Sequence, residues 1–381
     1  MANNKTVHEP LFHIAKRDNI KLWHTILIYA VAIILSLFLG GIICSLVSRG
    51  DPFKFFSSLF KGCFGTERKF WLYMQEFAIL LAVSMALVPA FKMKFWNLGA
   101  NGQILMGGLA SITCAYYLGG KIDDNLLLLI CVVSSAVVGA IWAVIPAICK
   151  ALWNTNESLF TLMMNYIASG LVTYFIALWV TGGSGILKPL AYGQLPQIGG
   201  KPYNLIILFG IIATIFMYIY LKHSKQGYEI SVVGDSPNTA RYIGINVKKV
   251  IIRTLIISGA ISGLVGLLLT NGLSNTIGAQ TANNRGFTAI MTTWLANCNP
   301  LFIIATCTLV TFVSKGMVQV RMDFGMTNDS ISNLVVGVVY FFIIACAFFI
   351  QYKIVFNPTI TAFFNKIKAS IIKIFTKKEN K

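Results

Sequence analysis

Acidic side chains are scarce in this sequence, with 13 Asp and Glu against 31 Lys and Arg, and only 12% of its 381 residues carry a charge. Soluble domains carry about one quarter, so an ordinary water-exposed surface around a single core is excluded. Histidine is rarer still. His8, His13, His24 and His223 are the only four, and their spacing suits no catalytic zinc or other metal. No Gly-x-Ser-x-Gly and no phosphate-binding loop occurs, so the chain carries no hydrolase signature and none of that class of ATPase. Its eight cysteines are scattered without a C-x-x-C pair. They read as small apolar residues, not as metal ligands or a disulfide framework. Neither a metal nor a cofactor is expected.

What is abundant is apolar residues, 56% of the chain. Several runs exceed the roughly 20 residues an α-helix needs to cross a bilayer, and the alternating pattern of a membrane β-barrel is missing. The class is therefore all-α, a polytopic helical membrane protein. The first run, Thr25 to Val47, is too long for a signal peptide and reads as a retained span. Residues 1–24 form a cytoplasmic N-terminal segment, 25–352 the membrane domain, and 353–381 a basic tail. Within that tail Ala362 to Phe375 is amphipathic and suits the anionic lipid of the inner leaflet. The net charge of +18 sits mainly at the ends of apolar runs, where it marks topology, so no nucleic-acid partner is expected.

The one long polar stretch between the hydrophobic halves is the loop 222–253. Lys222, Lys225, Arg241, Lys248, Lys249 and Arg253 outnumber Glu229 and Asp235 there, which places it in the cytoplasm. Ser236 can cap a helix, Pro237 suits its first position, and Gly244 suits a left-handed end. So short a helix is unstable alone in water. The stretch reads either as a docking element for a cytoplasmic protein or as a solvated linker.

Other polar residues fall within apolar runs. Asn97, Asn101 and Gln103 open a glycine-rich span, and Asn165 lies two turns into another; Thr292 and Asn297 lie in GFTAIMTTWLANCNP. Amides at membrane depth face protein or water, so these serve helix packing or line a translocation path. Ser258, Gly259, Ser262, Gly263 and Gly266 form a small-residue face for close helix contact. The segment Gly286 to Pro300 is a discontinuous helix or the first part of a kinked one. Counting Phe287–Ala296 and Leu301–Val318 separately gives about ten crossings and both termini inside, whereas nine would put the basic tail outside. DPFKFFSSLFKGCFG reads as an aromatic-rich helix in the outer interface. Glu76 and Glu157, the acidic candidates for an ion cycle, are read as lying near helix ends.

Five stretches, FWNLGANGQILMGGLAS, TNESLFTLMMNYIA, QGYEISVVGDSPNTARYIGINVKK, ISGAISGLVG and GFTAIMTTWLANCNPL, together resemble the permease subunits of bacterial ABC importers. The resemblance is to the branched-chain amino acid, ribose and nucleoside group, best to its nucleoside and simple-sugar branch. It implies a fold similar to that of the cobalamin-importer permease, in the bacterial plasma membrane. It also implies that Gly227, Tyr228, Glu229, Gly234, Asp235, Ser236, Pro237, Ala240, Arg241, Tyr242 and Gly244 couple the chain to a separate ATPase subunit, which binds the ATP. Further implied partners are a second permease, identical or homologous, and an extracytoplasmic substrate-binding protein or lipoprotein. The chain departs from many relatives at Asn101, where they carry an acid, and at Met291 to Trp294, where they carry small aliphatic residues. Nucleoside import by a non-enzymatic transport subunit is the leading expectation. Simple-sugar import is the alternative, and an ion-coupled secondary transporter the more distant one.

Overall fold

The computed structural model describes residues 12–16, 22–48, 51–180, 185–326 and 330–356. The expected amphipathic tail Ala362 to Phe375, and most of the N-terminal segment, lie outside the described residues. The chain divides into two compact units, residues 1–52 with 333–381, and residues 53–332.

In the first unit, α1 (Leu22–Ser48) is apolar throughout, and α13 (Ser330–Gln351) runs directly into a strand. That strand, β2 (Tyr352–Phe356), pairs antiparallel with β1 (Phe12–Lys16), Phe12 opposite Phe356 and Lys16 opposite Tyr352. Among the described residues this pair is the exception to the all-α expectation, and it makes Lys353 to Phe356, the start of the expected basic tail, part of a strand. The runs FHIAK and YKIVF are rich in aromatic and β-branched residues, which favour a pleated strand.

The second unit is built on α3 (Glu67–Lys92), α4 (Ala100–Leu118), α5 (Asp124–Trp153), α6 (Glu157–Trp179), α7 (Tyr203–His223) and α10 (Val247–Leu269). Polar side chains set the starts. Thr66, Asn156 and Asn246 accept the amides of Lys69, Leu159 and Lys249, which caps α3, α6 and α10. Glu157, in the first turn of α6, pairs with Lys150 at 2.8 Å. Seven helices among the described residues are long and apolar enough to cross a membrane: the spans are Leu27–Ser48, Glu67–Lys92, Asp124–Trp153, Glu157–Trp179, Tyr203–His223, Val247–Ser274 and Pro300–Asp323.

Helix α10 is the centre of this unit, and its small residues explain why. At Gly259, Gly263 and Gly266 an added Cβ would strike the backbones of Gly139, Ser135 and Ile104. Two neighbours, α5 and α4, therefore approach the same helix along one small-residue face.

Beyond α10 the chain loses regularity. A π-turn at Thr270–Ser274 is followed by the left-handed residues Asn275, Asn283 and Asn284. A short helix, α11 (Arg285–Leu295), then stops at the left-handed Asn297 and Cys298, and Pro300 opens α12 (Pro300–Asp323). The discontinuous reading of this region is the one the backbone adopts. Helix α2 (Pro52–Phe64) lies along α12, with Gly62 against Gly316 and the Cys63 thiol donating to the Phe312 carbonyl at 3.4 Å. It leaves Phe53, Phe60 and Phe64 exposed, the pattern of a helix lying in an interface.

Candidate functional site: a helical knob and a cluster of buried amides

The loop 222–253 contains two helices where a single short one was expected. Ser224 caps α8 (Lys225–Asp235) by accepting the Gly227 amide at 3.0 Å. Ser236 then caps α9 (Pro237–Tyr242) by accepting the Thr239 amide at 3.2 Å. Pro237 stands at the first position and Gly244, at φ +85°, reverses the chain into α10.

The residues singled out by motif separate into anchors and a presented face. Gly227 packs against the carbonyls of Tyr220 and Leu221, and Gly234 against the carbonyl of Lys92 at the C-terminal end of α3. Ile230, Val233 and Ala240 are buried. Glu229 binds Arg253 of α10 at 2.9 Å. Tyr228, Asp235, Pro237, Arg241, Tyr242 and Gly244 are exposed, Tyr242 at 93%. Helix α8 is thereby held to both α3 and α10.

Asn97, Asn101, Gln103 and Asn165, expected to line a path, are brought together around the first turn of α4; Asn97, Asn101 and Asn165 accept backbone amides there, while Asn97 Nδ2 and Gln103 Oε1 are buried without a hydrogen-bond partner. The Asn165 carbonyl oxygen, on α6, accepts the Gly102 amide at 2.7 Å while its Nδ2 donates to the Leu98 carbonyl at 2.8 Å. Asn101 accepts the Gly286 amide at 2.8 Å and so caps α11. Asn97 accepts the Gly99 amide at 3.0 Å and the Gln103 side-chain amide at 3.3 Å. All four are buried. A helix that starts inside a membrane domain has first-turn amides that water cannot reach, so neighbouring side chains must satisfy them. Thr292 is buried elsewhere, with its hydroxyl 2.7 Å from that of Ser84. Asn297 is exposed. The face that α11 leaves open carries Met291 and Trp294 instead.

Replacing Asn165 by Leu is expected to orphan the Gly102 amide and the Leu98 carbonyl together, at about 1–3 kcal/mol for each unpaired group. The check is the thermal midpoint of the purified membrane protein, with Asn165→Asp keeping the Gly102 contact and losing less.

A second polar cluster, part-buried, centres on Glu76 and has partners the sequence reading did not name. Glu76 was expected near a helix end, yet it lies nine positions beyond Glu67, inside α3. It accepts two bonds from the Arg285 guanidinium, at 2.6 and 3.1 Å, and lies 3.3 Å from the Lys315 ammonium of α12. Arg285 is the first residue of α11, so the triad fixes the start of that helix to both its neighbours. In the turn after α11, burial pushes the Cys298 thiol up to about 11, against the opposing pull of Lys92.

The family model described as the branched-chain amino acid transport system permease component matches residues 69–344. The chain belongs to this family. The permease is thus a transport component, and its relatives name the kind of system. It is 28% identical over 345 residues to the nucleoside ABC transporter permease protein NupB of Lactococcus lactis subsp. cremoris, covering 86% of this chain and 92% of that one. It is 26% identical to the guanosine ABC transporter permease protein NupP of Bacillus subtilis, covering 84% and 92%. The glucose ABC transporter permease protein TsgB13 of Haloferax volcanii is also 26% identical, over 72% of this chain and 76% of its own.

Proposed function

We propose that this chain is the membrane-spanning subunit of an ATP-driven nucleoside importer. The observation that carries the reading is the α8–α9 knob, a rigid basic projection anchored on α3 and α10 that presents Arg241 and Tyr242 to a partner. That partner is a separate ATPase subunit, whose closure on ATP moves α9 and, through Gly234 and Glu229, the inner ends of α3 and α10. A second permease copy or homologue completes the path, and an extracytoplasmic binding protein or lipoprotein delivers the ligand. No enzymatic step falls to this chain, and the nucleotide is bound by the partner.

The arrangement takes ten crossings: the seven long apolar helices together with α4, the irregular segment through α11, and α13. The β1–β2 pairing favours an even number, because the strand before the first crossing meets the strand after the last. With the knob's Lys and Arg inside, both termini are cytoplasmic, in the plasma membrane of a bacterium. An ion-coupled carrier is disfavoured by Glu76, which two cations hold and which is therefore not free to cycle a proton.

Nucleoside is preferred over sugar as cargo because the two relatives covered most fully are named for nucleosides and guanosine, while TsgB13 supports glucose as the second reading. Proteoliposomes holding the whole complex decide between them. Uptake of labelled guanosine that requires ATP and the binding protein is expected. Uptake of glucose or ribose alone would select the sugar reading, and uptake driven by a proton or sodium gradient without the ATPase would overturn both.

A further inference from the structure

Three buried polar atoms at the start of α4 lack partners, and coupling to an ATPase leaves them unexplained. Asn97 and Gln103 are 0% and 1% exposed. Their side chains meet once, Gln103 Nε2 donating to Asn97 Oδ1 at 3.3 Å. Two facing amides can close a ring of two bonds, yet the second is not made here: Asn97 Nδ2 and Gln103 Oε1 both stay unpaired. Turning either amide over makes matters worse. Asn97 Oδ1 also accepts the Gly99 amide at 3.0 Å, so a reversed Asn97 would set two donors against each other. A reversed Gln103 would oppose two oxygens.

A third orphan belongs to the same turn. The indole Nε1 of Trp142, on α5, is buried without a partner. A Cβ on Gly102 would stand 3.0 Å from it and 2.9 Å from Asn165 Oδ1, so the indole N–H lies against the residue next to Gln103. The start of α4 therefore gathers two unpaired donors, Asn97 Nδ2 and Trp142 Nε1, and one unpaired acceptor, Gln103 Oε1. Native proteins seldom leave buried polar groups in this condition, least of all at membrane depth.

The donor set selects the ligand. A cation is repelled by the two N–H groups and an anion by the Gln103 oxygen, whereas water accepts two hydrogen bonds and donates the third. We propose that one ordered water is bound at the start of α4, accepting from Asn97 Nδ2 and Trp142 Nε1 and donating to Gln103 Oε1. Three bonds are the usual complement of a buried water. It is a trapped molecule, not bulk solvent, and it ties the α3–α4 connection and α4 itself to α5. The site does not depend on the cargo, so it stands or falls apart from the transport reading.

The test uses the purified full-length protein. A density map fine enough to show ordered solvent is expected to hold one peak within hydrogen-bond distance of all three atoms. In a second arm Trp142 is replaced by its benzothienyl isostere, which keeps the fused rings and lacks the N–H. The thermal midpoint is expected to fall by about 2–4 °C, the shift that one lost hydrogen bond gives in a domain of a few hundred residues. The same replacement at Trp153, exposed on the same helix, leaves it unchanged. Three results would overturn the proposal: no peak at the three atoms, a direct bond from Trp142 to Gln103 in its place, or an isostere at Trp142 that melts at or above wild type.

Discussion

Replacing Glu76 by Ala is expected to destabilise the membrane unit by about 2–3 kcal/mol, less than the cost of stranding a fully buried charge because the triad is part-buried. Glu76 and Arg285 are only 18% and 16% exposed, and Lys315 is 35% exposed. Without the carboxylate, two cations face each other across the start of α11. The two partners are not equivalent. Arg285→Ala leaves Glu76 with Lys315 at 3.3 Å and costs less; Lys315→Ala, which removes the most exposed member, costs least. The double variant Glu76→Ala/Arg285→Ala recovers part of the loss, because it removes both charges instead of stranding one. Thermal unfolding of the purified protein in one detergent measures all four. Equal melting of Glu76→Ala and wild type would show that the triad does not hold α11.

Ala240→Pro is expected to abolish ATPase stimulation by substrate while leaving the membrane unit folded. The Ala240 amide donates to the Ser236 carbonyl at 3.0 Å, and its side chain is fully buried. Proline removes that donor and its ring meets the same carbonyl, at about 3 kcal/mol or more. A six-residue helix has no reserve against such a loss. The thermal midpoint falls far less than in Glu76→Ala, since only the six-residue α9 loses its backbone hydrogen bond. Stimulated hydrolysis at the wild-type rate would remove α9 from the coupling route.

Much of this architecture was legible because it is local. Ser236, Pro237 and Gly244 fix a helix start and end within nine residues, and they sit where spacing placed them. The small-residue face of α10 was visible as a pattern, as was the break before Pro300. Longer-range partners were not legible. Arg285 and Glu76 are 209 positions apart, and nothing near either residue indicates the other. The β1–β2 pair joins the two ends of the chain, beyond the reach of any local pattern. Helix α8 carries Gly227 and Gly234 with several β-branched residues, a poor helix former, and it stands because it is packed. The amides at Asn97, Asn101, Gln103 and Asn165 were seen correctly as out of place in an apolar run. Their spacing could not reveal that Asn97, Asn101 and Asn165 accept backbone amides near the starts of α4 and α11, or that the Gln103 amide donates to Asn97.

One labelling experiment bears on the whole account. Tyr242→Cys, at the most exposed position of the knob, is reacted with a membrane-impermeant maleimide in right-side-out and inside-out vesicles, with and without the ATPase subunit bound. Reaction confined to inside-out vesicles and blocked by the ATPase is the predicted result. Reaction in right-side-out vesicles, or no protection by the ATPase, would contradict it.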